Sequence, residues 1–164
     1  MPPTTTLAVP TDAVPAAAWL PRLPIAPGDA LLLDEAAAGP DDRVLILGAP
    51  SAELLCAALR HGCRAAQEAR TPPKHPDPAD LVVAVVGAAA PDAAAIATCA
   101  RRALADSRAG RLAVLLPAAG ALARSVIARL RSLGFGRIRR RPRADGALLL
   151  VCRLQPVLAT AGRR

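Results

Sequence analysis

Two short runs of consecutive apolar residues constrain the fold of this chain more than any other feature. One is Val44-Leu45-Ile46-Leu47 and the other is Leu81-Val82-Val83-Ala84-Val85-Val86. Unbroken apolar runs of this length, in contrast to an alternating apolar–polar pattern, are typical of strands that are covered on both faces of a sheet. The sequence therefore predicts a sheet with a layer of helices on each face.

The segments around these runs predict alternating helices and strands. Apolar residues recur at helical spacing in three segments: Leu54, Leu55, Ala58 and Leu59; then Ile96, Cys99, Ala100, Ala103 and Leu104; then Leu122, Val126, Leu130 and Leu133. Further strands are predicted over 64–68, 113–116, 135–141 and 147–152, the last two joined by an Asp-Gly hairpin turn. This order predicts an α/β fold: a three-layer, Rossmann-like, mostly parallel sheet with an antiparallel C-terminal hairpin strand.

Proline content divides the chain into a central domain and two flanking segments. Residues 1–29 contain seven prolines, and because proline fixes φ and lacks an amide donor, we expect an extended N-terminal arm there. Residues 30–155 form the predicted domain, which opens with a short helix over 30–38. Residues 156–164 are expected to be a flexible basic tail, and the proline-rich stretch 71–78 is expected to be a loop.

Basic charge is concentrated in the second half of the chain. Residues 1–82 carry a net charge of −4, whereas residues 83–164 carry +12. The densest group, which we call the arginine patch, is Arg137, Arg139, Arg140, Arg141 and Arg143. It could attract the phosphates of nucleic acid, or it could keep an exposed strand from pairing with another chain. The aromatic content of 1% favours the second interpretation, because single-strand binders stack bases on aromatic rings.

Neither a membrane segment nor a secretion signal is predicted. The chain lacks a run of about eighteen apolar residues, and the start Met1-Pro2-Pro3-Thr4-Thr5 lacks the basic and apolar regions of a signal peptide. A cytoplasmic location is therefore expected. Cys56, His61 and Cys63 have no fourth suitably spaced ligand, so no metal site is predicted. No pattern identifies a catalytic residue or an oligomeric state.

The order of elements and several local motifs resemble the class I S-adenosylmethionine (SAM)-dependent methyltransferase family. In that family a short helix and a charged turn precede the first strand, as Leu31-Leu32-Leu33-Asp34-Glu35 and Pro40-Asp41-Asp42-Arg43 do here. Asp80 opens the run that resembles the fourth strand of the family, which often begins with an acid. The closing helix over 119–133 and the following pair of strands complete a resemblance over roughly residues 30–153.

The resemblance implies a SAM site at the carboxyl ends of the first strand and of the strand over 81–86, as the crevice rule for open α/β sheets also requires. The candidate cofactor-binding residues are Gly48, Ala49, Ser51, Glu68 and Val86. Within this set, Glu68 stands 20 residues after Gly48, near the spacing of the family's acid that binds the ribose hydroxyls. Ser51 is also a suitable N-cap for the helix that follows.

Departures from the family pattern bear on activity. Ile46, Pro50 and Ala52 stand where the glycine-rich loop of the family has an acid and two glycines, and Pro50 removes an amide that could donate to a ligand. Only a proline-rich loop fits between Glu68 and Asp80, where the family has a helix, its third strand and another helix. The sequence therefore predicts a methyltransferase-like protein with a degenerate loop and a shortened middle, its activity undecided and its acceptor unknown.

Two other functions are weighed beside this one. The first is a non-catalytic Rossmann-like scaffold that binds a partner or nucleic acid through the arginine patch. The second is a nucleotide-binding oxidoreductase, against which the missing Gly-x-Gly-x-x-Gly motif and the terminal antiparallel hairpin both argue.

Overall fold

The computed structural model describes residues 27–48, 52–87, 92–118 and 120–155. The part of the predicted arm before residue 27 and the predicted tail lie outside these ranges. The helices and strands are α1 (Pro27–Glu35), β1 (Arg43–Gly48), α2 (Ala52–Arg60), β2 (Ala65–Ala69), β3 (Leu81–Val85), α3 (Asp92–Ala103), β4 (Arg111–Leu116), α4 (Ala121–Ser132), β5 (Phe135–Pro142) and β6 (Leu148–Leu154).

The strands form one sheet in the order β2-β1-β3-β4-β6-β5. β1 is parallel to both β2 and β3, and β3 is parallel to β4. β6 runs antiparallel to its two neighbours, β4 and β5. The predicted mostly parallel sheet with an antiparallel C-terminal strand is therefore confirmed. Because β6 lies between β4 and β5, the arginine-rich strand β5 forms one edge of the sheet.

The central strands bury side chains on both faces, which explains their unbroken apolar sequence. Successive residues of a strand point to opposite faces. Leu45 and Leu47 of β1 pack in the layer that contains α3 and α4. Val44 and Ile46 pack in the layer that contains α1 and α2. We call these the α3/α4 layer and the α1/α2 layer, and we call the sides of the sheet that they cover the α3/α4 face and the α1/α2 face.

Several bounds differ from the sequence prediction by a few residues, and three differences concern α1, β2 and α2. α1 begins at Pro27 rather than at residue 30, which is compatible with the preference of proline for the first helical position. β2 covers Ala65–Ala69 rather than 64–68. Leu59, predicted to lie on the apolar face of α2, is 41% exposed, because the buried stripe of that helix runs through Leu54, Ala57 and Ala58 instead.

The shortened middle predicted from the prolines is present in the structure. Residues 70–80, which are all described, contain neither a helix nor a strand. Among the described strands, β2 therefore pairs with β1 alone and forms the second edge of the sheet. This edge strand is short and carries the polar residues Gln67 and Glu68, features that discourage pairing with another chain.

Asp80 connects three strands at the amino end of the parallel sheet. Its carboxylate accepts hydrogen bonds from the Arg43 backbone N–H at 3.2 Å and from Arg43 Nε at 3.0 Å. Its own backbone N–H donates to the Arg43 carbonyl at 2.9 Å, and its carbonyl accepts from the Arg111 N–H at 3.0 Å. The hydrogen bond from the Arg43 side chain lowers the pKa of the Asp80 carboxyl group.

We expect Asp80→Asn to reduce the free energy of unfolding near neutral pH and to lose this effect in acid. The folded-state pKa of Asp80 lies below the unfolded value of about 3.9. The carboxylate therefore stabilises the fold above that value, and the contribution disappears as the pH falls through the folded-state pKa. Urea unfolding between about pH 7 and about pH 3 measures the difference. Asp41→Asn, at an exposed acid beside β1, is the control, and a pH-independent deficit in Asp80→Asn would contradict the prediction.

Candidate functional site

The carboxyl ends of the parallel strands meet at one edge of the sheet, which we call the carboxyl edge. From β1 the chain passes through α2 to β2 on one side, whereas β3 lies on the other side of β1. In open α/β sheets, ligands bind outside such a change of direction. The candidate site therefore lies at the ends of β1 and β3, where Gly48 is the register partner of Val85.

Gly48 has a backbone conformation and a neighbour that exclude a side chain. Its φ is +99°, and a Cβ atom at this position would lie 2.1 Å from the carbonyl oxygen of Val85. The family resemblance attributes this glycine to the approach of a ligand. In the structure, Gly48 is also required for β1 and β3 to pair at their carboxyl ends.

Glu68 presents an available carboxylate on the strand next to the change of direction. It is the penultimate residue of β2, and its side chain is exposed. Its register partner is Ile46 of β1, so Glu68 points to the α1/α2 face. No hydrogen bond or ion pair joins its carboxylate to another described residue. The side chain is therefore free to accept hydrogen bonds from a ligand that carries hydroxyl groups.

Val86 lies at the same edge as Gly48 but is used within the fold. Its side chain is 4% exposed and packs in the α3/α4 layer. Its backbone N–H donates to the carbonyl of Leu115 at 2.9 Å. Ala49 and Ser51 lie outside the described residues, so their predicted roles remain predictions. Gly48, Glu68 and Val86 are thus placed at the ends of three adjacent strands, β1, β2 and β3.

Burial explains one of the departures from the family's glycine-rich loop. Ile46 is completely buried in the α1/α2 layer, a position in which an unpaired acid would be costly. Ala52 is the first residue of α2.

His61, at the other end of α2, has its Nε2 atom 3.0 Å from the carbonyl oxygen of Ala38. Cys63 is buried, and burial raises the pKa of its thiol.

The arginine patch lies on β5 and in the hairpin that follows, with β6 between it and the parallel strands. Arg139 and Arg141 have Val151 and Leu149 as register partners and point to the α1/α2 face. Arg140 is the partner of Leu150 and points to the α3/α4 face. The patch is therefore divided between two faces. On the first face it is joined by Arg111 and Arg153, which no sequence pattern marks because each is the one arginine of its strand.

No protein-family profile and no curated protein matches this sequence, whereas solved structures are similar in fold. A SAM-dependent O-methyltransferase from Thermotoga maritima aligns with a TM-score of 0.61 at 14% identity, over 84% of this chain and 66% of that one. Human N-acetylserotonin methyltransferase in complex with SAM aligns with a TM-score of 0.55 at 13% identity, over 77% of this chain and 51% of that one. Precorrin-6y C5,15-methyltransferase from Geobacter metallireducens aligns with a TM-score of 0.58 at 11% identity, over 76% of this chain and 86% of that one.

This chain has the Rossmann-like fold of class I SAM-dependent methyltransferases. The identities, all below 20% among these structures, show the fold alone. The chain spans about half to two thirds of the length of the first two structures described above. None of the described helices combines the length and the apolar character that crossing a bilayer requires.

We expect Gly48→Ala to destabilise the fold more than Gly62→Ala. Both glycines have positive φ, but a Cβ at Gly62 meets no atom within 4 Å. Alanine in this conformation costs about 1–2 kcal/mol, and crowding against Val85 adds about 1–3 kcal/mol at position 48 only. Urea unfolding of the two variants measures the difference. Equal destabilisation would show that the close contact between Gly48 and Val85 has no energetic consequence.

Proposed function

We propose that this chain binds SAM at the carboxyl edge of β1, β2 and β3 and functions as a methyltransferase-like protein. The observation that carries the proposal is the change of chain direction between β1 and β3, with the carboxylate of Glu68, which no described residue pairs, on the adjoining strand. Three of the solved structures with this fold are methyltransferases, one of them in complex with SAM. Their similarity supports the same class of ligand here.

Each candidate residue has a role in this proposal. Glu68 accepts hydrogen bonds from the two adjacent hydroxyl groups of the ribose, since a carboxylate has two acceptor oxygens. Gly48 leaves the end of β1 free of a side chain. Ala49 and Ser51 lead into α2, whose first N–H groups suit the carboxylate of SAM. The buried side chain of Val86 forms the β3 side of the site.

The chemistry requires little of the protein beyond position. SAM, when bound, supplies a methyl group on a positively charged sulfur atom. If the acceptor is already nucleophilic, holding it in line with that methyl group accelerates transfer without a general base. The proposal therefore assigns no catalytic residue, and the acceptor is one that needs no deprotonation by this chain.

We expect SAM, or its demethylated product S-adenosylhomocysteine, to raise the thermal unfolding midpoint of the full chain. A ligand present at about 100 times its Kd stabilises the folded state by about 2.7 kcal/mol, which is about 5–11 °C for a protein of this size. Glu68→Gln should reduce the shift because the amide has only one acceptor oxygen. Asp41→Asn is the control, since it removes one exposed charge at the opposite edge. No shift at millimolar ligand would refute the proposed cofactor site.

The alternative is a non-catalytic scaffold that contacts a partner or nucleic acid through the arginine patch. It is favoured by the exposure of Arg137, Arg139, Arg140 and Arg141 on an edge strand. Nucleic-acid binding that falls steeply with salt, together with the absence of any response to SAM, would favour this alternative over the cofactor proposal.

A further inference from the structure

A cavity of about 160 Å³ lies at the amino end of the parallel strands, whereas the proposed SAM site lies at their carboxyl end. Its charged lining consists of Glu35, Arg111, Arg137, Arg139 and Arg153. Arg111 begins β4 and is the register partner of Arg153 near the end of β6, so both lie at the amino end of the parallel strands. One water needs only about 10–15 Å³, and the cavity therefore has room for a group the size of phosphate.

A β-bulge directs the arginines of β5 into this cavity. The register between β5 and β6 shifts between Gly136 and Arg139, and Arg137 has a φ of +52°, a conformation that non-glycine residues adopt rarely. The extra residue lets Ile138 pack in the α3/α4 layer while Arg139 points to the α1/α2 face. Without the bulge, strict alternation from Phe135 would turn Arg139 to the α3/α4 face.

Two of the lining residues are already held by neighbours. The guanidinium of Arg111 donates to the Asp42 carboxylate and to the carbonyl of Ala37. Glu35 Oε1 lies 4.0 Å from Arg141 Nη1. Each residue nevertheless keeps one buried atom without a hydrogen-bond partner among the described residues, namely the donor Arg111 Nε and the acceptor Glu35 Oε2. A buried polar atom without a hydrogen-bond partner destabilises the folded state. A ligand that pairs with such an atom removes this cost, which favours binding.

The other three arginines give the cavity its net positive charge. Within the described part of the chain, no ion pair neutralises Arg137, Arg139 or Arg153. Guanidinium groups that line one cavity repel one another, and an anion between them removes the repulsion. The forked, planar donors of arginine match the oxygens of a phosphoryl group.

We propose that this cavity binds the phosphoryl group of a phosphorylated ligand. Arg137, Arg139 and Arg153 bind the phosphoryl oxygens, and Glu35 Oε2 accepts a hydrogen bond from a hydroxyl group of the same ligand. The site lies at the amino end of the parallel strands, whereas Gly48 and Glu68 lie at the carboxyl end. It is therefore independent of whether the chain binds SAM.

The test is a calorimetric titration of the full chain with inorganic phosphate at constant low ionic strength. We expect saturable binding at one site. Arg139→Gln and Arg153→Gln should each weaken it about tenfold or more, because each removes charge-assisted hydrogen bonds. Arg140→Gln is the matched control: it removes the same charge from the next residue of the same strand, but on the opposite face. We expect that variant to change the affinity by less than about twofold, since its side chain points to the face away from the cavity and solvent screens its charge there.

A short oligothymidylate distinguishes a single phosphoryl site from a nucleic-acid surface. Competition between inorganic phosphate and the oligonucleotide, with loss of affinity in Arg139→Gln but not in Arg140→Gln, supports the cavity. Equal loss in the two variants would show that general electrostatic attraction along β5 is responsible and would overturn the proposal. The absence of saturable phosphate binding by the wild-type chain would also overturn it. Arg139, Arg140 and Arg153 are exposed, and thermal unfolding of the three variants checks that the substitutions leave the fold intact.

Discussion

The pairing of β1, β3 and β4 between two apolar layers underlies the positions of the other strands, of the helices and of both proposed sites. Each of these parallel strands has a hydrogen-bonded neighbour on both sides, and both faces of each are covered by helices or by the layers they form. Buried side chains occupy the faces, so polar chemistry is confined to the two ends of the strands. This separation accounts for the position of both proposed sites.

The two ends differ in charge as well as in geometry. At the amino end, Asp80 neutralises Arg43, and Asp42 pairs with Arg111. Towards β5 and β6 the arginines outnumber the acids, which leaves the cavity with excess positive charge. At the carboxyl end, the described strands finish with Gly48, Ala69 and Val85, and Glu68 is the acid beside them. An anionic ligand is therefore suited to the first end, whereas a ligand with hydroxyl donors is suited to the second.

The shortened middle changes one side of the candidate SAM site. With residues 70–80 as an irregular loop, β2 is an edge strand whose pattern of exposure leaves Gln67 and Glu68 accessible. The proline-rich composition of this loop made its lack of helix and strand predictable, because proline is excluded from helix interiors and central strands. The availability of Glu68 depends in addition on the pairing of β2 with β1, a long-range contact that the composition of the loop does not specify.

The elements and the fold class were predictable from the amino-acid sequence, because apolar runs and helical spacing are local patterns. The buried strands around Ile46 and Val83 and the hairpin after Pro142 were all recognisable in this way. The close approach of Gly48 to the Val85 carbonyl, and the shared cavity of Glu35, Arg111 and Arg153, became evident from the folded chain alone. These residues are distant in the chain, and strand order, register and the bulge at Arg137 bring them together. Such contacts depend on long-range pairing, which no local pattern of residues encodes.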